Sequence, residues 1–281
     1  MLFDTHIHLI DRNRLNYPWL SSVPALDHDA SHTDYCRNCR QLGIGMSLHM
    51  EVDVAEQDME NESFYIKALM SQNDSPLVGA IAACRPENKD FPEFLERQQS
   101  RPWIKGFRRV LHVVDVELSR STHFRNHVNM LSDTPYVFDI CASAAQLPIM
   151  IELIDACPNV QFVIDHCGVP NVKDAELDPW RESMRSIAQR PNVVGKISGV
   201  VAYGNGVDWC LDDIRPFVEH TADVFGPNRI VWGSDSPVCT LGGSLASWVA
   251  ATRQIFSETS TSERAAFFHG NAQRIWGIES H

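Results

Sequence analysis

The segment Asp4-Thr5-His6-Ile7-His8 lies on an apolar stretch at the start of the chain, and Trp232-Gly233-Ser234-Asp235 lies near its end. Side chains alternate along a β-strand, so His6 and His8 point to the same face. If both segments are strands of one barrel, the two imidazoles and the Asp235 carboxylate can converge at one end. Such a trio can hold a divalent metal or carry out acid–base chemistry on water.

Eight short apolar runs recur along the chain and alternate with amphipathic stretches of helical spacing. The predicted strands span residues 2–8, 43–49, 77–83, 104–110, 136–140, 161–165, 193–198 and 230–234. The predicted helices include 61–71, 91–99, 123–132, 145–156, 178–189, 212–225, 244–257 and 263–276. Strands alternating with helices predict right-handed βαβ units and a parallel sheet, and eight strands close a barrel. The expected fold is α/β, a single (β/α)8 TIM barrel domain over residues 1–281. The long connection 10–30 is expected to shape a site at the carboxyl ends of the strands.

The composition is that of a globular protein, with 44% hydrophobic and 21% charged residues. The net charge of -12 argues against nucleic acid or an anionic membrane as a partner, but leaves open a small anionic substrate. Apolar runs fall short of the ~20 residues of a membrane span, and no signal peptide is recognisable. We expect a small-molecule partner, and a homo-oligomer is possible.

Cysteine usage indicates the compartment. The eight cysteines are scattered, several of them inside apolar runs, which predicts buried free thiols in a reducing cytoplasm. Cys36 and Cys39 have the spacing of a redox pair, but no second pair follows that would complete a zinc site. We therefore interpret them as two thiols on one helix.

Polar residues stand at the ends of the predicted strands, where a barrel carries its chemistry. They are His6, His8, His49, Glu51, Cys84, Arg85, Arg108, Arg109, His112, Asp139, Asp165, His166, Lys196, Ser198, Ser234 and Asp235. Groups of this kind are costly to bury without partners, so a ring of them favours an enzyme. By strand alternation, one of Arg108 and Arg109 faces the barrel and the other the helices, and Asp165 points away from His166.

These strand ends resemble those of the amidohydrolase superfamily, and within it the lactonase branch. The resemblance covers nearly the whole chain and rests on Asp4-Thr5-His6-Ile7-His8, Lys105-Gly106-Phe107-Arg108-Arg109, Phe138-Asp139, Gln146-Leu147-Pro148, Asp165-His166-Cys167-Gly168, Lys196-Ile197-Ser198-Gly199 and Gly233-Ser234-Asp235-Ser236-Pro237-Val238-Cys239. It is greatest to the hydrolases of fuconolactone-type sugar lactones, and the dicarboxylate-lactone hydrolases are more distant.

The resemblance implies a hydrolase that opens a lactone ring, with a sugar aldonolactone as the expected substrate. It implies that Asp235 activates the attacking water, with His6, His8 and His166 as the other catalytic residues. Arg108 matches an arginine aimed at the substrate. Three further positions, Arg109, His112 and Tyr203, are expected to shape the substrate pocket, and Arg109 and His112 depart from the residues usual there.

The need for a metal stays open. Fully metallated members of the superfamily usually add a strand-five histidine, whereas strand five here offers Asp139. His6, His8 and Asp235 could still bind one divalent metal, zinc or manganese. Alternatively, arginine and histidine donors could stabilise the oxyanion of an activated ester without any cofactor.

Two other functions and several structural roles compete with this hypothesis. The same scaffold could carry a metal-dependent decarboxylase, or another amidohydrolase-type hydrolase acting on a small carboxylate. A non-catalytic binding protein would require the loss of one of the catalytic residues, and all of them are present. Taken singly, the histidines could be hydrogen-bonded core residues, and Asp235 could cap a helix.

Overall fold

A computed structural model describes residues 1–279 of the chain. Its eight strands form one parallel sheet in chain order: β1 Leu2–Ile7, β2 Ile44–Met50, β3 Leu77–Ala83, β4 Ile104–Val110, β5 Val137–Cys141, β6 Gln161–Ile164, β7 Val193–Ile197 and β8 Ile230–Trp232. A parallel bridge between Ile7 and Ser236 brings the first and last strands together. The fold is the expected (β/α)8 barrel, and β3 and β4 have the predicted bounds.

Helices follow the strands and cover the outside of the barrel. They are α1 His32–Leu42, α2 Met59–Met70, α3 Phe91–Gln98, α4 Thr122–Asn129, α5 Leu147–Ala156, α6 Trp180–Ala188, α7 Leu211–Phe225, α8 Leu245–Ile255, α9 Thr261–Ala265 and α10 Asn271–Trp276. The single last helix predicted over 263–276 is interrupted by a π-helical turn at Ala266–Gly270. None of the helices within residues 1–279 has both the length and the apolarity needed to cross a bilayer.

The cysteines agree with the sequence analysis. Cys36 and Cys39 lie on α1, whose N-terminus is capped by the Ser31 side chain and whose C-terminus ends at Gly43 in the left-handed conformation. All eight cysteines are free thiols, and only Cys210 is exposed.

The barrel interior is built in two layers. Phe3, Leu48, Ile81, Val137, Val163, Val194 and Val231 belong to one buried apolar cluster, closed from below by Trp276 of α10. Two residues further along three of these strands stand Asp139, Asp165 and Lys196, all fully buried. Because side chains on one face recur every second residue, each of these strands places a polar group above its apolar one. The upper layer therefore lies at the carboxyl ends of the strands.

The connection between β1 and α1 folds on itself over this end. Ile10 and Ala30 pair through two backbone hydrogen bonds of 3.0 and 3.1 Å, which closes the base of the loop. Two 3-10 turns, Leu20–Ser22 and Pro24–Leu26, lie inside it. Its apolar residues form a small core of their own with Val52 and Val54, and Val238 and Leu241 pack against that core. The loop is thus an ordered wall rather than a loose connection.

Candidate active site

The two histidines of β1 meet at the floor of a cavity. The His6 side chain is fully buried, and its Nε2 lies 3.2 Å from Nε2 of His8. Nδ1 of His8 lies 3.0 Å from the carbonyl oxygen of Met50. A carbonyl only accepts a hydrogen bond, so Nδ1 of His8 carries a proton, and in the neutral imidazole Nε2 presents its lone pair to the site.

Asp235 lies three residues after the end of β8 and faces the same pair. Its Oδ1 lies 3.3 Å from Nε2 of His8 and 3.6 Å from Nε2 of His6. The residue has a φ of 57°, a left-handed conformation that costs a non-glycine residue about 1–3 kcal/mol. Its backbone N–H donates to the His6 carbonyl oxygen at 2.8 Å, which helps to hold it there. Within the described chain, the buried Oδ2 has no hydrogen-bond partner.

His166 approaches Asp235 from the other side. Its Nδ1 lies 3.7 Å from Asp235 Oδ2 and 3.0 Å from Oγ of Ser198. Burial lowers the pKa of His166 and outweighs the opposing effect of Asp235, so the imidazole is neutral at pH 7. Gly199 makes this approach possible, because a Cβ there would lie 2.6 Å from both Asp235 Oδ2 and His166 Nδ1. Its φ of +64° also favours glycine.

Arg108 is held at the edge of the floor by Glu51. Its Nε donates to Glu51 Oε1 at 2.6 Å, and its Nη2 donates to the Glu51 carbonyl oxygen at 2.7 Å. Burial disfavours the guanidinium charge, but Glu51 outweighs it and raises the pKa of Arg108. Nη1 remains 3.4 Å from Nε2 of His6. The arginine is therefore a fixed cation beside the histidine pair.

A buried ion cluster lies beneath the histidines. Lys196 contacts Asp139 directly, and its Nζ lies 2.7 Å from Asp165 Oδ1. Asp165 Oδ1 is also 3.5 Å from Nδ1 of His6, so an acid supports the far side of that imidazole. Burial opposes ionisation of Asp165, yet Lys196 and His6 hold its pKa well below the usual range.

One expectation at the end of β6 was wrong. Alternation put Asp165 and His166 on opposite faces, but both side chains reach the interior. Asp165 keeps the interior face of Val163, two residues earlier, whereas His166 lies beyond the end of β6 at Ile164 and has a left-handed φ of 54°, so the period of two no longer applies to it. The available signal for the position of Asp165 was Lys196, which lies inside the apolar strand predicted over 193–198. A lysine buried there needs carboxylate partners.

The donors at the floor fit a divalent cation. Zinc–nitrogen and zinc–oxygen bonds of about 2.0–2.2 Å in a tetrahedral site separate neighbouring donors by about 3.3–3.6 Å. The three distances among His6, His8 and Asp235 are 3.2, 3.3 and 3.6 Å. Their donor atoms form one of two possible metal-holding groups within residues 1–279, and the second is His6, Asp165 and His166.

The balance of charges around the cavity floor also favours a bound cation. Around the floor lie four carboxylates and two cations: Glu51, Asp139, Asp165, Asp235, Arg108 and Lys196. Their formal charges leave an excess of two negative charges in a buried region. A divalent cation or bound protons would remove that excess, as burial of unbalanced charge requires.

Above the floor opens a cavity of about 360 Å³. Arg108, His112 and Tyr203, predicted to contact substrate, all line it. Burial lowers the pKa of His112 and raises that of Tyr203 well above its usual range, so both are neutral at pH 7. Arg109 does not reach the cavity.

The assignment of Arg109 to substrate binding is corrected by its contacts. Its Nε and Nη2 both lie 2.8 Å from Oε1 of Glu87, and it is absent from the cavity lining. Arg108 and Arg109 are neighbours on β4, so the pleat turns Arg109 to the opposite face.

A family model for amidohydrolases matches residues 3–278. The chain belongs to the amidohydrolase family. This confirms the superfamily expected from the strand-end motifs.

Relatives of this amidohydrolase match over nearly full length. An uncharacterized protein y4mH of Sinorhizobium fredii is 26% identical over 297 residues, covering 99% of this chain and 98% of that protein. The L-fucono-1,5-lactonase of Burkholderia multivorans is 28% identical over 301 residues, covering 98% of this chain and 95% of the relative. A crystal structure of a Burkholderia multivorans amidohydrolase with bound zinc has a TM-score of 0.89 at 24% identity, covering 99% of this chain and 100% of that one. At that identity the likeness concerns the fold.

Proposed function

We propose that this amidohydrolase opens the ring of a lactone with a water activated by Asp235. The observation that carries the proposal is the Asp235 carboxylate, 2% exposed, with Oδ1 3.3 Å from His8 Nε2 and an unpartnered Oδ2 among residues 1–279. A buried carboxylate at a cavity floor is suited to remove a proton from water. Lactone hydrolysis is supported by the relative named L-fucono-1,5-lactonase.

The proposed reaction conserves its protons. Asp235 takes a proton from water, and the hydroxide adds to the ring carbonyl carbon. The oxyanion forms beside the Arg108 guanidinium, with N–H and O–H donors of His166 and Tyr203 on the same cavity wall. The bond between carbonyl carbon and ring oxygen then breaks, and Asp235 returns its proton to that oxygen. The product is an open hydroxy acid.

His6, His8 and Asp235 would hold zinc or manganese. Bound there, the ion would lower the pKa of water and polarise the carbonyl. The bound zinc in the related Burkholderia multivorans structure supports this choice. The protein's own part is to fix the donors: Asp165 supports the far nitrogen of His6, and the Met50 carbonyl fixes the tautomer of His8.

The test is a pH-indicator assay of lactone hydrolysis with Asp235→Asn, using sugar aldonolactones as the first substrates. Loss of the base should lower kcat by about 10²–10⁴-fold while the circular dichroism spectrum is retained. Asp208→Asn, an exposed aspartate on the loop before α7, is the matched control and should keep full activity. Near-normal hydrolysis by Asp235→Asn would remove the aspartate from the mechanism. Parallel assays with chelator and with added zinc measure the metal requirement.

A metal-dependent decarboxylase is the second candidate, favoured by the donor spacing that fits a metal. Against it stands the scarcity of cations for a substrate carboxylate: within residues 1–279, Arg108 is the one arginine or lysine lining the cavity, and its charge is already balanced by Glu51. Carbon dioxide release from small aromatic carboxylates, abolished by chelator and without any lactone hydrolysis, would favour this candidate instead.

A further inference from the structure

The outer wall of the cavity is apolar. Ten of the nineteen lining residues are aliphatic, proline or tryptophan. They come from four places: the loop after β1, the residues after β2, the end of β4 with the residues after it, and the loop after β8. Val23, Val238 and Leu241 are half-buried, so they meet both the small core of the loop and the open cavity.

Polar atoms in this wall already have partners inside the protein. The indole N–H of Trp19 donates to the Val52 carbonyl oxygen at 2.8 Å, which leaves its ring as an apolar surface. The Ser22 hydroxyl donates to the Trp19 carbonyl oxygen at 2.6 Å. A substrate hydroxyl pressed against this wall would give up its hydrogen bonds to water with little replacement, which is unfavourable.

Cations near the cavity are also paired. Among residues 1–279, Arg108 is the one arginine or lysine in the lining, and Glu51 accepts two of its hydrogen bonds. Arg85 lies 3.4 Å from Asp53. Asp53 and Asp235 both line the cavity. An anionic substituent would therefore meet carboxylates and find no unpaired basic side chain.

Resting on the lactone hydrolysis proposed above, we propose that the substrate is a neutral lactone bearing an apolar substituent. Its ring lies on the polar floor, with the carbonyl between Asp235 and Arg108. Its alkyl or aryl group lies against the wall of Val23, Val238 and Leu241. Polyhydroxylated and carboxylated lactones are disfavoured by the same wall and the same charges.

The apolar wall predicts that kcat/KM rises with the size of the apolar substituent. Each buried methylene is worth about 0.8 kcal/mol, which converts to roughly a fourfold change in kcat/KM. Across unsubstituted, methyl, ethyl and propyl δ-lactones, kcat/KM should rise about threefold to fourfold per carbon until the wall is filled. An aldonolactone should fall at least about tenfold below the propyl compound, and a carboxylated lactone below its own methyl ester.

The experiment measures that series, each rate corrected for spontaneous hydrolysis, on the wild-type protein and on Val23→Thr and Val238→Thr. Threonine keeps the shape of valine and adds a hydroxyl, so both variants should lower the ratio of propyl to unsubstituted kcat/KM by about threefold to tenfold. Val207→Thr is the matched control: Val207 is 69% exposed and lies outside the cavity lining, so the ratio should not change. Thermal unfolding of each variant shows that the fold is retained.

The outcomes separate the two proposals. If aldonolactones are opened as fast as alkyl lactones, or if the alkyl series is flat, the apolar-substituent proposal is overturned while lactone hydrolysis stands. If the wild-type protein opens none of these lactones, the proposed function falls and this proposal falls with it. A rising series that is flattened by both wall variants and unchanged in Val207→Thr supports both.

Discussion

Replacing Lys196 with methionine should destabilise the barrel severely. The lysine is fully buried on β7, in contact with Asp139 and with its Nζ 2.7 Å from Asp165 Oδ1. Methionine fills a similar volume, so the change removes mainly the charge. Two carboxylates then remain in an interior that Val137, Val163 and their neighbours make apolar from below.

The magnitude follows from the loss of one partner in a buried ion pair, about 3–5 kcal/mol. That is a large share of the roughly 5–15 kcal/mol by which a protein of this kind is stable. At about 2 °C per kcal/mol, the Tm should fall by about 6–10 °C.

The loss should depend on pH. Burial already raises the pKa of Asp139 to about 7, against the opposing effect of Lys196. Without the lysine the folded pKa rises further above its unfolded value of 3.8. The folded state then binds a proton that the unfolded state has released. Stability is therefore retained below about pH 4 and lost at about 1.4 kcal/mol per pH unit as pH rises toward the folded pKa.

The assay is urea unfolding of wild type and Lys196→Met at pH 5.5 and pH 8, in chelator so that metal binding does not enter the difference. The deficit should be larger at pH 8. Adding Asp139→Asn to Lys196→Met should recover about 1–3 kcal/mol, because one uncompensated charge is removed. Lys173→Met, an exposed lysine, is the control and should change stability by less than about 0.5 kcal/mol. A Lys196→Met protein within about 0.5 kcal/mol of wild type at pH 8 would refute this account of the cluster.

Three further predictions concern the site and the thiols. Glu51→Gln should weaken the hold on Arg108 and lower kcat about tenfold to a hundredfold with a smaller change in KM, and an equal loss in Asp208→Asn would argue against it. Gly199→Ala should lower kcat by at least about a hundredfold, since its Cβ would lie 2.6 Å from Asp235 Oδ2; unchanged steady-state kinetics would contradict that contact. A chromogenic thiol reagent should label one cysteine per native chain, Cys210, and all eight after unfolding, and labelling of Cys210→Ser at the wild-type rate would show that another thiol is accessible.

Strand periodicity carried most of what the sequence could predict. Short apolar runs, separated by helical stretches, located all eight strands to within about two residues. A strand buried on both faces is a continuous apolar segment, so each run marks a strand. The same period put His6 and His8 on one face and turned Arg108 and Arg109 apart. Where the backbone leaves the strand conformation, as it does at His166, the rule no longer applies, and Asp165 and His166 both reach the interior instead of facing opposite sides.

The cavity wall shows why the substrate could not be predicted from sequence in the same way. The long connection 10–30 was expected to shape the site, and it does line the cavity. Its apolar character there arises from packing against Val238 and Leu241, more than two hundred residues away along the chain. Such contacts depend on how two loops meet, and local periodicity carries no information about that.

Closure of the barrel and assembly of the site use the same bonds. The Asp235 N–H donates to the His6 carbonyl oxygen at 2.8 Å, and the His8 N–H donates to the Ser236 carbonyl oxygen at 2.7 Å. Below them, the Ser234 N–H donates to Oδ1 of Asp4 at 2.7 Å. Because these contacts join the first strand to the last, Asp235 can meet the histidine pair only when the two ends of the sheet are together. Opening of this seam would therefore separate Asp235 from the histidines before the rest of the barrel unfolds, so hydrogen exchange at the seam and loss of hydrolysis should rise together with urea.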